Sequence, residues 1–197
     1  MQVNDKFLKK INLIFLIILI FLSPGLAQSK DIKNKLIEHN NSLRNVSIIF
    51  LQTDGATLEE GFIYIGKERI RVDYSFPNKI TIVLSEKKGM YVNHELEESQ
   101  FFNVNKTFVK IYYKLFRDKN FFKKASIEID NDKIIVKKKY LVENTTYPIE
   151  IIYENNPVKL KKIKIEQSEK EHTLSLVSYQ YADEFRDGFF ALIDPYL

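Results

Sequence analysis

Apolar and polar residues alternate without a break from Arg69 to Phe76. Ile70, Val72, Tyr74 and Phe76 fall on one side, Arg69, Arg71, Asp73 and Ser75 on the other. Successive strand side chains face opposite ways, so the pattern predicts a strand with one apolar and one charged face. Phe76-Pro77-Asn78 closes it as a turn, because Pro has no N–H for a ladder. The theme recurs on both sides. Residues 45–53 and 57–65 read as strands about the turn signal Asp54-Gly55. Residues 79–85 and 89–93 form the next hairpin, and residues 100–104 a further strand.

The period then changes. Phe108, Ile111, Tyr112, Leu115 and Phe116 recur at the spacing of one helix face, and Arg117-Asp118-Lys119-Asn120 ends the run. A short second helical piece is expected from Phe121-Phe122 to Ser126. From there strands return at 126–130, 133–140, 147–153, 158–166 and 172–179, with turn-rich joints between them. In the fourth, Val158 and Leu160 share one parity and Ile163 and Ile165 the other, so a bulge is expected at Lys161-Lys162. Ahead of all the strands, residues 29–43 read as a helix capped by Ser29 or Asp31, with Ile32, Leu36 and Leu43 near one face. Short strands at this spacing imply a meandering antiparallel sheet, mainly β with helices, in the α+β class.

The first 27 residues have the layout of an address. Lys6, Lys9 and Lys10 precede an unbroken apolar run of 10 residues, Leu13 to Leu22. Ser23 and Pro24 break that run, and Gly25 and Ala27 supply small residues at the cleavage point. The run is well short of the roughly 20 residues that span a bilayer, so a cleaved signal is expected over 1–27 and a single domain over 28–197. The chain has no Cys, which excludes an N-terminus lipidated on Cys and any disulfide. Removing residues 1–27 takes three Lys and one Asp and leaves 27 basic against 25 acidic side chains. No basic groove carries aromatics between its charges, so no nucleic-acid partner is expected, and Lys137-Lys138-Lys139 reads as a solvated strand end.

Motifs that carry chemistry are missing from the pattern. His39, His94 and His172 lie in separate segments, and read as structural or exposed. There is no G-x-S-x-G elbow, no glycine-rich phosphate loop and no Cys nucleophile, so neither catalysis nor a cofactor or metal is expected. Asn40, Asn45, Asn105 and Asn144 each begin an N-x-S/T pattern. What the chain has in quantity is apolar and aromatic surface, with 15 Phe and 11 Tyr. The helix from Phe108 to Phe116 concentrates it. Either that helix plugs a sheet core or it lies as a lid over a cavity on a curved sheet; the two differ in packing density, not in residue type.

Three segments carry a resemblance. R-I-R-V-D-Y-S-F-P-N (69–78), I-V-L-S followed by G-M-Y-V-N (82–93), and N-P-V-K-L-K-K-I-K-I (156–165) with F-F-A-L-I-D-P (189–195) resemble the periplasmic outer-membrane lipoprotein carrier proteins, the LolA family. The resemblance implies an open, curved antiparallel half-barrel with a helical lid over an apolar cavity. It implies a monomeric periplasmic chaperone that takes acylated lipoproteins from an inner-membrane ABC transporter, shields their acyl chains, and delivers them to an acceptor or to the outer membrane. A half-barrel lipid- or protein-binding sensor of the cell envelope is the alternative on the same fold, and a hydrolase the third class. The expected cavity lining is Ile70, Val72, Tyr74, Ile82, Leu84 and Tyr91 from strands and Phe108, Ile111, Tyr112 and Leu115 from the helix. The family's Arg-Pro pair before the alternating strand is replaced by Gly66-Lys67-Glu68, so Lys67 is the expected donor to helix carbonyls in lid control, without the planar fork of Arg.

Overall fold

The computed structural model describes residues 24–197. The charged and apolar parts of the expected leader, residues 1–23, lie outside the described residues, and Pro24 opens helix α1 (Pro24–Ser42). Among the described residues no helix is long and apolar enough to cross a membrane. The chain divides into two units, residues 1–36 and 37–197. The second holds the end of α1 and every strand.

That second unit is built on one antiparallel sheet of 11 strands. In chain order these are β1 (Val46–Thr53), β2 (Leu58–Ile65), β3 (Ile70–Phe76), β4 (Ile80–Leu84), β5 (Lys88–Asn93), β6 (Glu98–Asn103), β7 (Ser126–Asp130), β8 (Lys133–Val142), β9 (Thr145–Asn155), β10 (Val158–Gln167) and β11 (Lys170–Tyr181). Their spatial order is β6-β5-β4-β3-β2-β1-β11-β10-β9-β8-β7. Two meanders therefore meet where β1 pairs with β11, and β6 and β7 remain as free edges, so the sheet is open and curved. The expected half-barrel is the observed fold.

Register assigns the two faces. Ile63, Val72, Ile82 and Tyr91 are successive cross-strand partners and share the inner face; Tyr64, Arg71, Val83 and Met90 share the outer one. Three irregularities bend the sheet: one between Ile49 and Phe50, one where Gly61 meets Tyr74, and one between Leu160 and Lys162. The last is the bulge expected from the parity slip. At the second, a Cβ on Gly61 would lie 2.1 Å from the Asp73 carbonyl oxygen, so only glycine fits. This bulge leaves Ser75 unpaired and sets Phe76 opposite Glu60. Phe76 thus leaves the Ile70–Tyr74 face on which strict alternation placed it, and is exposed.

Between the meanders run a 3₁₀ turn (Val104–Lys106) and helix α2 (Lys110–Arg117). The second helical piece expected after Phe121 is absent; residues 119–124 form turns. Their backbone hydrogen bonds reach back three residues, Phe121 N–H to the Asp118 carbonyl and Lys123 N–H to the Asn120 carbonyl, as in turns and unlike the four-residue step of an α-helix, and both Phe121 and Phe122 are buried. Lys138 also departs from the solvated strand end. It lies opposite Ile149 on the inner face, and its ammonium donates to the Phe121 carbonyl between the Phe121 and Tyr140 rings. Lys137, facing out, pairs with Glu150.

The chain after β11 crosses the outer face. Asn45 Nδ2 donates to the Asp183 carbonyl, Arg71 Nη1 to that of Phe189 at 3.0 Å, and Arg69 Nη1 to that of Phe190 at 2.8 Å. Leu192 packs on Val83, Met90 and Val92. Ser99 Oγ then donates to Asp194, and the Tyr196 hydroxyl meets His94 Nδ1 at 2.9 Å. Residues 183–197 are thus a strap, and the charged face of β3 is its bed rather than a solvated surface.

Candidate functional site: an apolar cavity beneath helix α2

The inner face has two halves. On β8 to β10, Ile134, Val136, Ile151, Tyr153 and Ile163 are all fully buried. On β1 to β4 the side chains face a cavity of about 100 Å³ roofed by α2 and the residues that lead into it. Phe50 and Gln52 line it from β1, Ile63 from β2, Ile70, Val72 and Tyr74 from β3, Ile82 and Leu84 from β4, and Leu174 from β11. The roof is Phe108, Val109, Tyr112 and Phe116.

Helical spacing explains the roof. Val109, Tyr112 and Phe116 lie at steps of three and four and face the cavity. Ile111 and Leu115 form the adjoining flank and are buried, 0% and 2% exposed. Tyr113 and Arg117 form the opposite flank and turn toward the β2–β3 connection. Of the ten expected lining residues, the cavity therefore gathers Ile70, Val72, Tyr74, Ile82, Leu84, Phe108 and Tyr112. Tyr91 shares the inner face through its pairing with Ile82, but it stands on β5, one strand beyond the lining. Ile111 and Leu115 serve the core. The sequence reading missed Phe50, Gln52, Ile63 and Leu174 on strands and Val109 and Phe116 in the roof; the alternation of the strands and the apolar helix face were visible, but nothing local shows that β1 and β11 meet or which helix positions look into the space.

Three polar groups reach this space: Gln52, Tyr74 and Tyr112. The Tyr74 hydroxyl donates to Gln52 Oε1 at 3.4 Å, and Gln52 Nε2 donates to Glu59 at 2.7 Å. Burial, with the Glu59 carboxylate adding to it, pushes the Tyr74 hydroxyl up to about 12. Burial likewise raises Tyr112, and the Tyr74 hydroxyl adds to that. Both phenols stay neutral, so the cavity carries no charge from its lining.

No protein family and no curated protein sequence matches the chain. Similarity appears in three dimensions. An uncharacterised conserved protein from Thermus thermophilus superposes with a TM-score of 0.53 at 9% identity, over 80% of this chain and 90% of that one. LprF from Mycobacterium bovis superposes with a TM-score of 0.43 at 11% identity, over 78% and 93%. At such identity the Thermus likeness shows a shared fold and nothing finer.

Roof control differs from expectation. Lys67 does not reach α2: it is exposed and lies 3.6 Å from Glu184 of the strap. The donors sit on the helix instead. The Tyr113 hydroxyl donates to the Glu68 carbonyl at 3.2 Å, and Arg117 Nη2 donates to the Gly66 carbonyl. Lys67 stands between these two carbonyls in sequence, and its side chain leaves on the outer side. Arg117 is held at a cost, since burial lowers its affinity for a proton and its Nε is buried without a hydrogen-bond partner.

Proposed function

We propose that this protein is a non-enzymatic periplasmic carrier that shields the acyl chains of lipoproteins in the cavity beneath α2. In this reading it acts as a monomer. It receives cargo from an inner-membrane ABC transporter and gives it up to an acceptor or to the outer membrane. The observation that carries the reading is an uncharged apolar cavity roofed by a short helix on an open sheet. Each CH₂ removed from water contributes about 0.8 kcal/mol, so a long acyl chain gains roughly 10 kcal/mol when wholly buried. A carrier has to give that back on delivery. At about 100 Å³ the cavity is smaller than the 300–1,000 Å³ typical of ligand sites. Admission of a chain therefore requires α2 and Phe108 to lift, and the packing that the roof gives up offsets part of the gain. Partial compensation of this kind makes release possible.

The test is native mass spectrometry of the protein co-expressed with a triacylated lipoprotein. A complex that disappears when the acylated Cys of the cargo is removed is expected. Val72→Glu places a carboxylate in the cavity and should abolish the complex while the circular dichroism remains that of a β protein. If that variant is unfolded, Ile82→Gln makes the same test. A folded variant that still carries lipoprotein would overturn the cavity as the binding site.

A further inference from the structure

The β2–β3 turn, residues 66–69, is gripped from both faces of the sheet. It is closed by the Gly66 N–H donating to the Arg69 carbonyl at 3.0 Å. On the inner side its carbonyls at Gly66 and Glu68 accept Arg117 and Tyr113 of α2. On the outer side it holds the strap three times. Arg69 donates to the Phe190 carbonyl, and Lys67 faces Glu184. The Phe190 ring lies so close over Gly66 that an added Cβ would sit 2.7 Å from it. The ring belongs to a cluster in which Phe185, Phe189 and Phe190 stack edge and face, with Tyr64 against Phe189.

From this geometry we propose that the turn couples the outer strap to the inner roof, so that release of the strap from residues 66–69 loosens α2 over the cavity. The physical basis is that Gly66 bears a contact on each side. Its carbonyl orients Arg117, and its Cα is pressed by Phe190. Four residues cannot change their strap contacts and keep both carbonyls aimed at α2. The roof side is also poorly compensated, with a buried guanidinium nitrogen that no partner satisfies, so a small shift of the turn suffices to free it. The coupling belongs to the fold; its use in loading and release rests on the carrier reading above. A partner that peels the strap would then open the cavity from the opposite face of the sheet, without touching the cargo.

The experiment is hydrogen exchange on the full chain, read at the amides of α2. Arg69→Ala removes a strap hydrogen bond and neither of the two hydrogen bonds that α2 makes to the turn. It is expected to speed exchange over residues 111–118 by about two- to tenfold, the range for loss of one hydrogen bond, with β9 and β10 unchanged. In an Arg117→Gln background the same change should add little, because the link is already cut. Faster exchange in the strap with α2 unaltered, or full additivity with Arg117→Gln, would overturn the coupling. If Arg69→Ala unfolds the protein, Phe190→Ala repeats the test while leaving the turn's own hydrogen bonds in place. Uptake of a fluorescent fatty acid is measured alongside. Coupled exchange with no uptake by any variant would sink the carrier reading and leave the coupling standing.

Discussion

Leu160 shows how one residue holds an irregular sheet together. It faces Tyr153 on β9, while the register between β10 and β11 begins only at Lys162. Its amide and carbonyl therefore lack β11 partners, and such groups are costly to bury unpaired. His39 Nε2 accepts the Leu160 N–H at 3.1 Å, and the Tyr179 hydroxyl donates to its carbonyl. Acceptance at Nε2 requires the neutral ring. Burial, and secondarily the Lys159 ammonium, lower His39 from 6.5 to about 4. In the unfolded chain the ring takes up its proton near pH 6.5, and in the folded one only near pH 4. The unfolded form thus binds more protons between these values, and stability falls as pH drops from about 6.5 to about 4. His39→Gln should flatten the dependence by about 1–2 kcal/mol after allowance for solvent screening. Urea titrations at pH 7 and pH 4.5 read it directly, and an equal loss in both proteins would place the effect elsewhere. The sequence marked the bulge through its parity slip, and left His39 as either structural or exposed. It had no means of joining the two, since their 121-residue separation is closed only by the fold.

At the scale of elements, α2 is defined by its three flanks. Val109, Tyr112 and Phe116 form the roof, Ile111 and Leu115 the buried flank, Tyr113 and Arg117 the turn-facing one. Helical period alone gives Phe108, Ile111, Tyr112, Leu115 and Phe116 as one apolar face and cannot divide it, which is why Phe108 and Tyr112 were legible as lining while Ile111 and Leu115 were placed one flank too far. Apolar type does not distinguish a cavity wall from a core wall; only packing does. The polar clamps were not legible. Asn40 stood out only as the start of an N-x-S pattern, yet it is 2% exposed. Its Nδ2 donates to the Leu115 carbonyl at 3.0 Å and its Oδ1 accepts from Tyr153 at 3.2 Å. It ties the end of α2 to β9, so the helix has one permanent anchor and one releasable latch. Asn40→Ala leaves a buried carbonyl and a buried hydroxyl unpaired, and should destabilise the fold by about 2–4 kcal/mol in denaturant melts. Tyr113→Phe, at the releasable latch, should cost only about 1 kcal/mol. Equal costs would contradict the division into anchor and latch.

For the whole molecule the question is whether the sheet holds a fixed cavity or an expandable one. Open edges at β6 and β7 mean that no closed ring of strands limits the span of the inner face. The half under β8 to β10 is filled by side chains from the chain itself, among them Phe121 and Phe122, and the half under β1 to β4 is roofed by a helix of 8 residues. The two arrangements predict different responses to ligand length. A fixed space of about 100 Å³ is smaller than an engineered cavity of about 150 Å³ that holds a single benzene ring, so only very short chains would bind. If α2 lifts about its Asn40 anchor, each added CH₂ finds apolar wall to cover. Affinity should then rise about fourfold per CH₂, from butanoate through at least decanoate, before it levels off. Calorimetric titration of that series separates the cases. A steady rise would mean that the roof moves as cargo enters, and Arg117→Gln should raise the whole series by a similar factor, because the latch opposes every chain alike. A plateau after the first members would show a rigid cavity, and acyl shielding would have to be sought elsewhere on the sheet.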